Sequence, residues 1–187
     1  MSLININNKN NVSCASFELA EKLIKYGFNS PIFLCVGNSN VVGDLFGPMC
    51  GEMLKRKQIC NVVGDLSYNV TLSNLSLTYN KLRKENPFNP IIVVDSALSN
   101  FNDVGMINFL PYGCLPAHEK NNQIMGDFSI LANVNVLGIN NFLFLKTVKF
   151  NMVKQMAKFV CDVICEALKL KKNYENNSNN FNVNVGC

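Results

Sequence analysis

Ile91-Ile92-Val93-Val94-Asp95 is the stretch that decides the fold class. Four β-branched residues in succession suit a strand buried on both faces, and the acid that follows marks where the strand leaves the core. Working outward, Pro31-Ile32-Phe33-Leu34-Cys35-Val36 repeats the pattern and ends at Gly37-Asn38-Ser39-Asn40. Ile59 to Val63 is a shorter version broken at Gly64-Asp65. Val104 to Leu110 and Phe128 to Val136 read as further strands, separated by a Gly/Pro-containing loop from Pro111 to Gly126.

Helical spacing fills the intervals. Ser16 to Tyr26 carries Leu19, Leu23 and Ile24 and stops at Gly27, a residue that commonly closes a helix. Pro48 suits the first turn of a helix running through Met53 and Leu54 to Lys57, with basic residues at the end the macrodipole favours. Leu72 to Lys84 is a third helix. The longest sets Val153, Met156, Val160, Val163 and Ala167 on one face and Lys154, Lys158, Asp162 and Lys169 on the other. Strands alternating with helices predict an α/β fold on a largely parallel sheet. One domain is expected over about residues 13–172, with the Asn-rich segments 1–12 and 173–187 frayed.

Composition narrows the function class. Of 187 residues 48% are hydrophobic, enough to exclude disorder throughout, while 16% are charged and 31 are asparagine. No apolar run reaches the roughly 18–20 residues that span a bilayer, and Met1-Ser2-Leu3-Ile4-Asn5 lacks the layout of a signal peptide. A cytoplasmic protein with no membrane partner is the expectation. The net charge of +4 is local, because residues 146–172 hold seven lysines against Asp162 and Glu166. That reads as a basic helix face; Arg is not interleaved with aromatics and Trp is absent, so no nucleic-acid partner is expected. The eight cysteines include no C-x-x-C. Cys161 and Cys165, one helical turn apart, can join a metal site if other ligands converge on them, or pack as small hydrophobes along the apolar stripe. The second reading fits their surroundings better.

Ligands bind outside the carboxyl ends of strands in a parallel sheet, and two acids fall there. Asp44 lies in the loop after the first strand and Asp95 ends the strand at Val94. On neighbouring strands, two such carboxyls share a cleft, where one is pushed to a higher pKa or both hold a cation. The plainer reading makes Asp44 a helix cap and Asp95 a turn residue. The loop from Gly37 to Gly43 matches neither a dinucleotide fingerprint nor a Walker loop, so its glycines are read as aiming Asp44. Val-Val-Gly-Asp-Leu occurs at 41–45 and again at 62–66, in unlike contexts, and is read as coincidence. His118 is either a solvated loop residue or a third ligand or proton carrier beside the aspartates. Ser39 and Ser96 lack the G-x-S-x-G elbow of a serine hydrolase, and Asp127 reads as a turn residue.

Taken together, Cys35-Val36-Gly37-Asn38, Gly43-Asp44-Leu45-Phe46-Gly47-Pro48 and Val93-Val94-Asp95-Ser96-Ala97-Leu98 resemble the spore protease YyaC family of sporulation proteins. That family is similar to the germination protease that degrades small acid-soluble spore proteins, and more distantly to hydrogenase-maturation endopeptidases. The resemblance runs over about residues 30–168. It implies a three-layer α/β/α sandwich and a cytoplasmic peptidase of the sporulating cell or forespore. Asp44 and Asp95 would be catalytic, and Gly37, Asn38, Ser96 and His118 would contact a protein or peptide substrate. Backbone groups of Gly37 and Asn38 would orient the substrate or an oxyanion. No cofactor is established; a divalent metal is compatible with the more distant relatives, and metal-dependent endopeptidase processing like theirs is a further alternative reading. The first loop reads Asn38-Ser39-Asn40 where that family usually has a basic residue. This departure motivates the rival reading of a non-catalytic factor that binds a partner in the same cleft.

Overall fold

A run such as Ile91 to Val94 can be satisfied only between two other strands and under two layers of cover. The computed structural model, which describes residues 3–6, 10–25, 27, 30–59, 61–116 and 123–183, provides both. Its elements are β1 (Leu3–Asn5), α1 (Asn10–Lys25), β2 (Ile32–Cys35), α2 (Phe46–Arg56), β3 (Val62–Val63), α3 (Leu75–Glu85), β4 (Ile91–Ser99), β5 (Met106–Leu110), β6 (Phe128–Val136), α4 (Asn141–Lys146) and α5 (Phe150–Val183). One sheet has the order β1-β5-β6-β4-β2-β3. Within it β3, β2, β4 and β6 are parallel, and β5 runs antiparallel to both β6 and β1.

The two faces of the sheet are covered unequally. Phe33, Cys35, Ile92, Val94, Ile130 and Ala132 pack on one side against α1, α2 and α5. Ile32, Leu34, Val36, Ile91 and Val93 pack on the other against Leu75 and Tyr79 of α3 and against Met125. The result is an α/β/α sandwich whose second layer is thin. Asp127 pins that layer: its Oδ2 accepts from Arg83 Nη2 at 2.6 Å and from the Ile91 N–H at 2.8 Å. It is therefore a tie between α3 and β4 as well as a turn residue. No helix among the described residues is long and apolar enough to cross a membrane.

Both chain ends depart from expectation. Residues 3–5, predicted to fray, form an edge strand in which Ile4 pairs with Ile107 and is buried. A three-residue strand carries too little periodicity to stand out in sequence; it exists because β5 offers it an edge. At the other end, α5 continues through the Asn-rich segment to Val183. Extending an established helix costs far less than starting one, and Lys171 pairs with Glu175 across one turn. Strand β4 also runs on to Ser99, and the short helix α4 had no sequence forecast.

The carboxyl end of β2 is set by backbone packing. A Cβ on Gly47 would lie 1.9 Å from the Val36 carbonyl oxygen, and one on Gly51 would lie 1.9 Å from that of Gly64. Helix propensity on its own predicts that Gly51→Ala stabilises α2 by about 1 kcal/mol. The packing predicts the opposite sign, a loss of about 3 kcal/mol, because the two nearest atoms, the carbonyl oxygen and carbon of Gly64, are main-chain atoms that cannot rotate away. Urea unfolding of the variant decides between them, and a raised midpoint would refute the packing account.

Candidate functional site

The chain moves from β2 to β3 on one side and returns through α3 to β4 on the other, so β2 and β4 flank the topological switch point of the sheet. A crevice opens there outside the strand ends. Pairing of β2 with β4 ends at Cys35 and Val94, after which the Val36 N–H donates to the Val94 carbonyl at 2.8 Å. β4 continues past that point with β6 as its partner, and Asp95 to Ser99 are all partly exposed. Gly37 turns the chain at φ +144°, and a side chain on it would meet the Asp44 carbonyl oxygen at 2.0 Å. Buried Val41, Leu45 and Phe46 then anchor the 3-10 turn Gly43–Leu45 and leave Asp44 at the crevice.

Asp44 and Asp95 meet at Ser96. The Ser96 hydroxyl donates a long bond of 3.4 Å to Asp44 Oδ1, and the Ser96 N–H donates to Asp95 Oδ1 at 2.7 Å. Desolvation pushes the Asp95 carboxyl up to about 8; the nearby Asp44 charge adds to the shift and the Ser96 N–H offsets part of it. Asp44 is also raised by burial, held back by the Ser96 hydroxyl and the Asn38 backbone. The pair therefore holds a proton at neutral pH, and Asp95 is its natural carrier.

The backbone N–H groups of Gly37 and Asn38 already have partners within the protein. The Gly37 N–H donates to the Val70 carbonyl at 2.8 Å and the Asn38 N–H to the Asp44 carbonyl at 3.1 Å. Both donors are committed to holding the loop, so neither serves as an oxyanion donor in this arrangement. His118 lies outside the described residues. Ser39 faces away from the acids: its N–H and hydroxyl donate to Asn69 Oδ1 at 2.7 and 2.8 Å.

That contact exposes residues the sequence reading passed over. Asn69 Nδ2 donates to the Asp65 carbonyl at 2.9 Å, and the Asp65 carboxylate accepts from the N–H groups of Ser67 and Tyr68, each at 2.7 Å. The Ser67 hydroxyl at 2.6 Å and the Lys55 ammonium complete its shell. Burial opposes ionisation of Asp65, but Lys55 and these donors outweigh it and hold the carboxyl well below the usual range. The β3 loop thus clamps the β2 loop. The repeated Val-Val-Gly-Asp-Leu was the available signal, since its second Asp also follows a strand's carboxyl end. Cys114, tied to Met125 by reciprocal bonds of 3.0 and 2.8 Å, is another omission. Burial, reinforced by the Asp95 charge, pushes its thiol up to about 12, so it borders the site as a neutral group. Cys161 is buried in the core with its thiol 3.5 Å from the Cys50 carbonyl, in line with the packing reading. Among the described residues no three His, Cys, Asp or Glu side chains converge as a metal ion would need.

Fold and site define an α/β/α protein with two carboxyl groups joined through Ser96 at the switch point of its sheet. A family model described as "Protein of unknown function (DUF1256)" matches residues 3–163, and the chain belongs to that family. It is also 30% identical over 158 residues, covering 81% of this chain and 74% of the other, to a Bacillus subtilis (strain 168) protein named "Uncharacterized protein YyaC".

The titrations oppose each other in sign. Asp95 has a folded pKa of about 8 against an ordinary 3.8, so the folded state holds its proton more tightly and stability falls as pH rises through that window. Asp65 is depressed, so its contribution is present above an ordinary pKa of 3.8 and is lost as pH falls below it. Taken together, these two groups place maximum stability near pH 4, with a fall on either side. Asp95→Asn should remove the upper limb and raise stability at pH 8.5 by about 2 kcal/mol, residual solvent contact keeping the gain modest. Denaturant titrations of both proteins at pH 5.5 and 8.5 measure this; parallel pH dependence in the two would contradict it.

Proposed function

We propose that this protein is a sporulation-associated peptidase of the cytoplasm, hydrolysing peptide bonds of a spore protein with Asp44 and Asp95. The observation that carries the reading is the convergence of the two carboxyl groups on Ser96 at the switch point. Asp44, the less strongly raised of the two, accepts a proton from water as the water oxygen bonds to the peptide carbonyl carbon. Asp95 donates its proton to the carbonyl oxygen. As the tetrahedral diol collapses, Asp44 passes its proton to the leaving nitrogen, the C–N bond breaks, and Asp95 recovers a proton from the diol oxygen. Both groups return to their starting states with one water consumed.

A second reading, a non-catalytic sporulation factor that binds a peptide in the same crevice, is favoured by one observation. The Gly37 and Asn38 N–H groups are already bonded within the protein, which removes the expected oxyanion donors.

Incubation with small acid-soluble spore proteins separates the two. Peptidase action predicts cleavage by the wild type and a fall of about 10³-fold or more in kcat for Asp44→Asn and for Asp95→Asn. It also predicts a rate that declines above about pH 8, where Asp95 loses its proton, and at acid pH, where Asp44 gains one. Unchanged cleavage by both variants would refute the mechanism. Tight binding without cleavage by the wild type would establish the second reading.

A further inference from the structure

The segment joining β6 to α5 displays its apolar side chains outward. Ile139 is fully exposed, Leu137 is 67% exposed, and Phe142 and Leu143 are 59% and 55% exposed. Four large apolar residues within seven positions exceed the scattered exposure of an ordinary surface. Their backbone is firmly held. The Phe144 ring packs where a side chain on Gly138 would stand, 2.2 Å from its Cβ position. Asn140 Oδ1 caps α4 by accepting from the Leu143 N–H at 3.1 Å, and Asn135 Nδ2 donates to the Phe144 carbonyl at 2.8 Å.

The segment bearing the patch is packed on the turn next to the carboxyl pair. α4 packs on the 3-10 turn that carries Asp44, so closely that a Cβ on Gly43 would lie 2.8 Å from the Leu145 carbonyl oxygen. Its charge is one-sided as well. No acid occurs from residue 128 through 161, whereas Lys146, Lys149, Lys154 and Lys158 do. Lys158 is paired with Asp162, but Lys146 Nζ lies 4.4 Å over the exposed Phe142 ring, holding its charge at the edge of the patch. Lys149 follows, also exposed.

We propose that the surface formed by Leu137, Ile139, Phe142, Leu143, Lys146 and Lys149 docks an acidic segment of the protein substrate that is anchored by apolar side chains. This inference rests on the peptidase reading and names the substrate feature the site selects. An apolar floor with a positive rim is complementary to alternating apolar and acidic residues. A second copy of this chain is a poorer occupant, because a symmetric contact would set two lysine rims against each other.

The test uses the full chain carrying Asp95→Asn and labelled peptides of about ten residues, the length of a typical docked segment. One alternates Leu and Glu, one Leu and Lys, one Ser and Glu. Fluorescence anisotropy is expected to show the Leu/Glu peptide binding at least about tenfold more tightly than the others. Phe142→Ser with Leu143→Ser should weaken it about tenfold at unchanged melting temperature, and Lys146→Glu with Lys149→Glu should shift preference to the Leu/Lys peptide. Equal binding of the three peptides, or indifference to both double variants, would overturn the proposal. So would sedimentation showing a dimer that Phe142→Ser disperses. Expected peptide binding without spore-protein cleavage by the wild type would defeat the peptidase reading and keep the docking surface as that of a binding partner. Cleavage with KM unmoved by the double variants would do the reverse.

Discussion

Main-chain atoms, rather than side chains, make the contact on which this protein's geometry depends. The Val36 carbonyl occupies the space above Gly47, the Gly64 carbonyl the space above Gly51, and the Cys35 carbonyl the space above Gly64, each at about 2 Å from where a Cβ would stand. At such separations repulsion overwhelms the few tenths of a kcal/mol of dispersion that a methyl would gain. α2 is thereby fixed against the ends of β2 and β3, with Pro48 near the turn at Gly37. The chain leaving β2 must reach the start of α2 through Gly43–Leu45, a turn that contacts β4 and so delivers Asp44 to that side.

The same end of the sheet makes three aspartates behave in different ways. Asp65 and Asp95 both follow strand residues and both suffer desolvation, yet their pKa values move in opposite directions. Asp65 collects an ammonium group, two backbone N–H groups and a hydroxyl; Asp95 has one backbone N–H and a like charge nearby. Each good donor to a charged group contributes about 1.5–3 kcal/mol, so four of them exceed the burial penalty and one does not. Asp65 is consequently a structural anion that rigidifies the loops. Asp95 is left able to exchange a proton, and Asp44 lies between these extremes. The division of labour follows from donor count rather than from position along a strand.

Legibility from sequence tracked how local the cause was. Ile32 to Cys35 and Ile91 to Val94 announce buried strands because burial on both faces demands a continuous apolar run, and Asp44 and Asp95 were placed by the rule for parallel sheets. Ser96, which the resemblance offers as a substrate contact, bonds to both acids. Gly37 and Asn38 lie in the expected loop, but only the fold shows that the Val70 and Asp44 carbonyls accept from their N–H groups. Asp65 and Asn69 escaped because their partners Lys55 and Ser39 are 10 and 30 residues away. Leu3–Asn5 escaped for a similar reason, its partner strand lying at Met106–Asn108. Periodicity reports what a segment buries against, not which distant group completes it.

The loop that carries Asp44 is flanked by two walls that differ in kind, and on the proposed reading the difference bears on how a substrate would meet the acids. On one side Asp65, Asn69 and Ser39 form a hydrogen-bonded lattice that spends its donors internally and leaves little for a partner. On the other, α4 leaves apolar side chains in solvent from a backbone that is itself well tied. Exposed apolar area contributes roughly 25 cal/mol per Å² when covered, so the second wall holds most of the binding energy available to a polypeptide. On that reading, a rigid wall that fixes the carboxyl groups beside an adhesive wall that selects the chain would separate chemistry from recognition. Under the same proposal, binding on the apolar wall would exclude water beside the Gly43–Leu45 turn and so raise the proton affinity of Asp44 further.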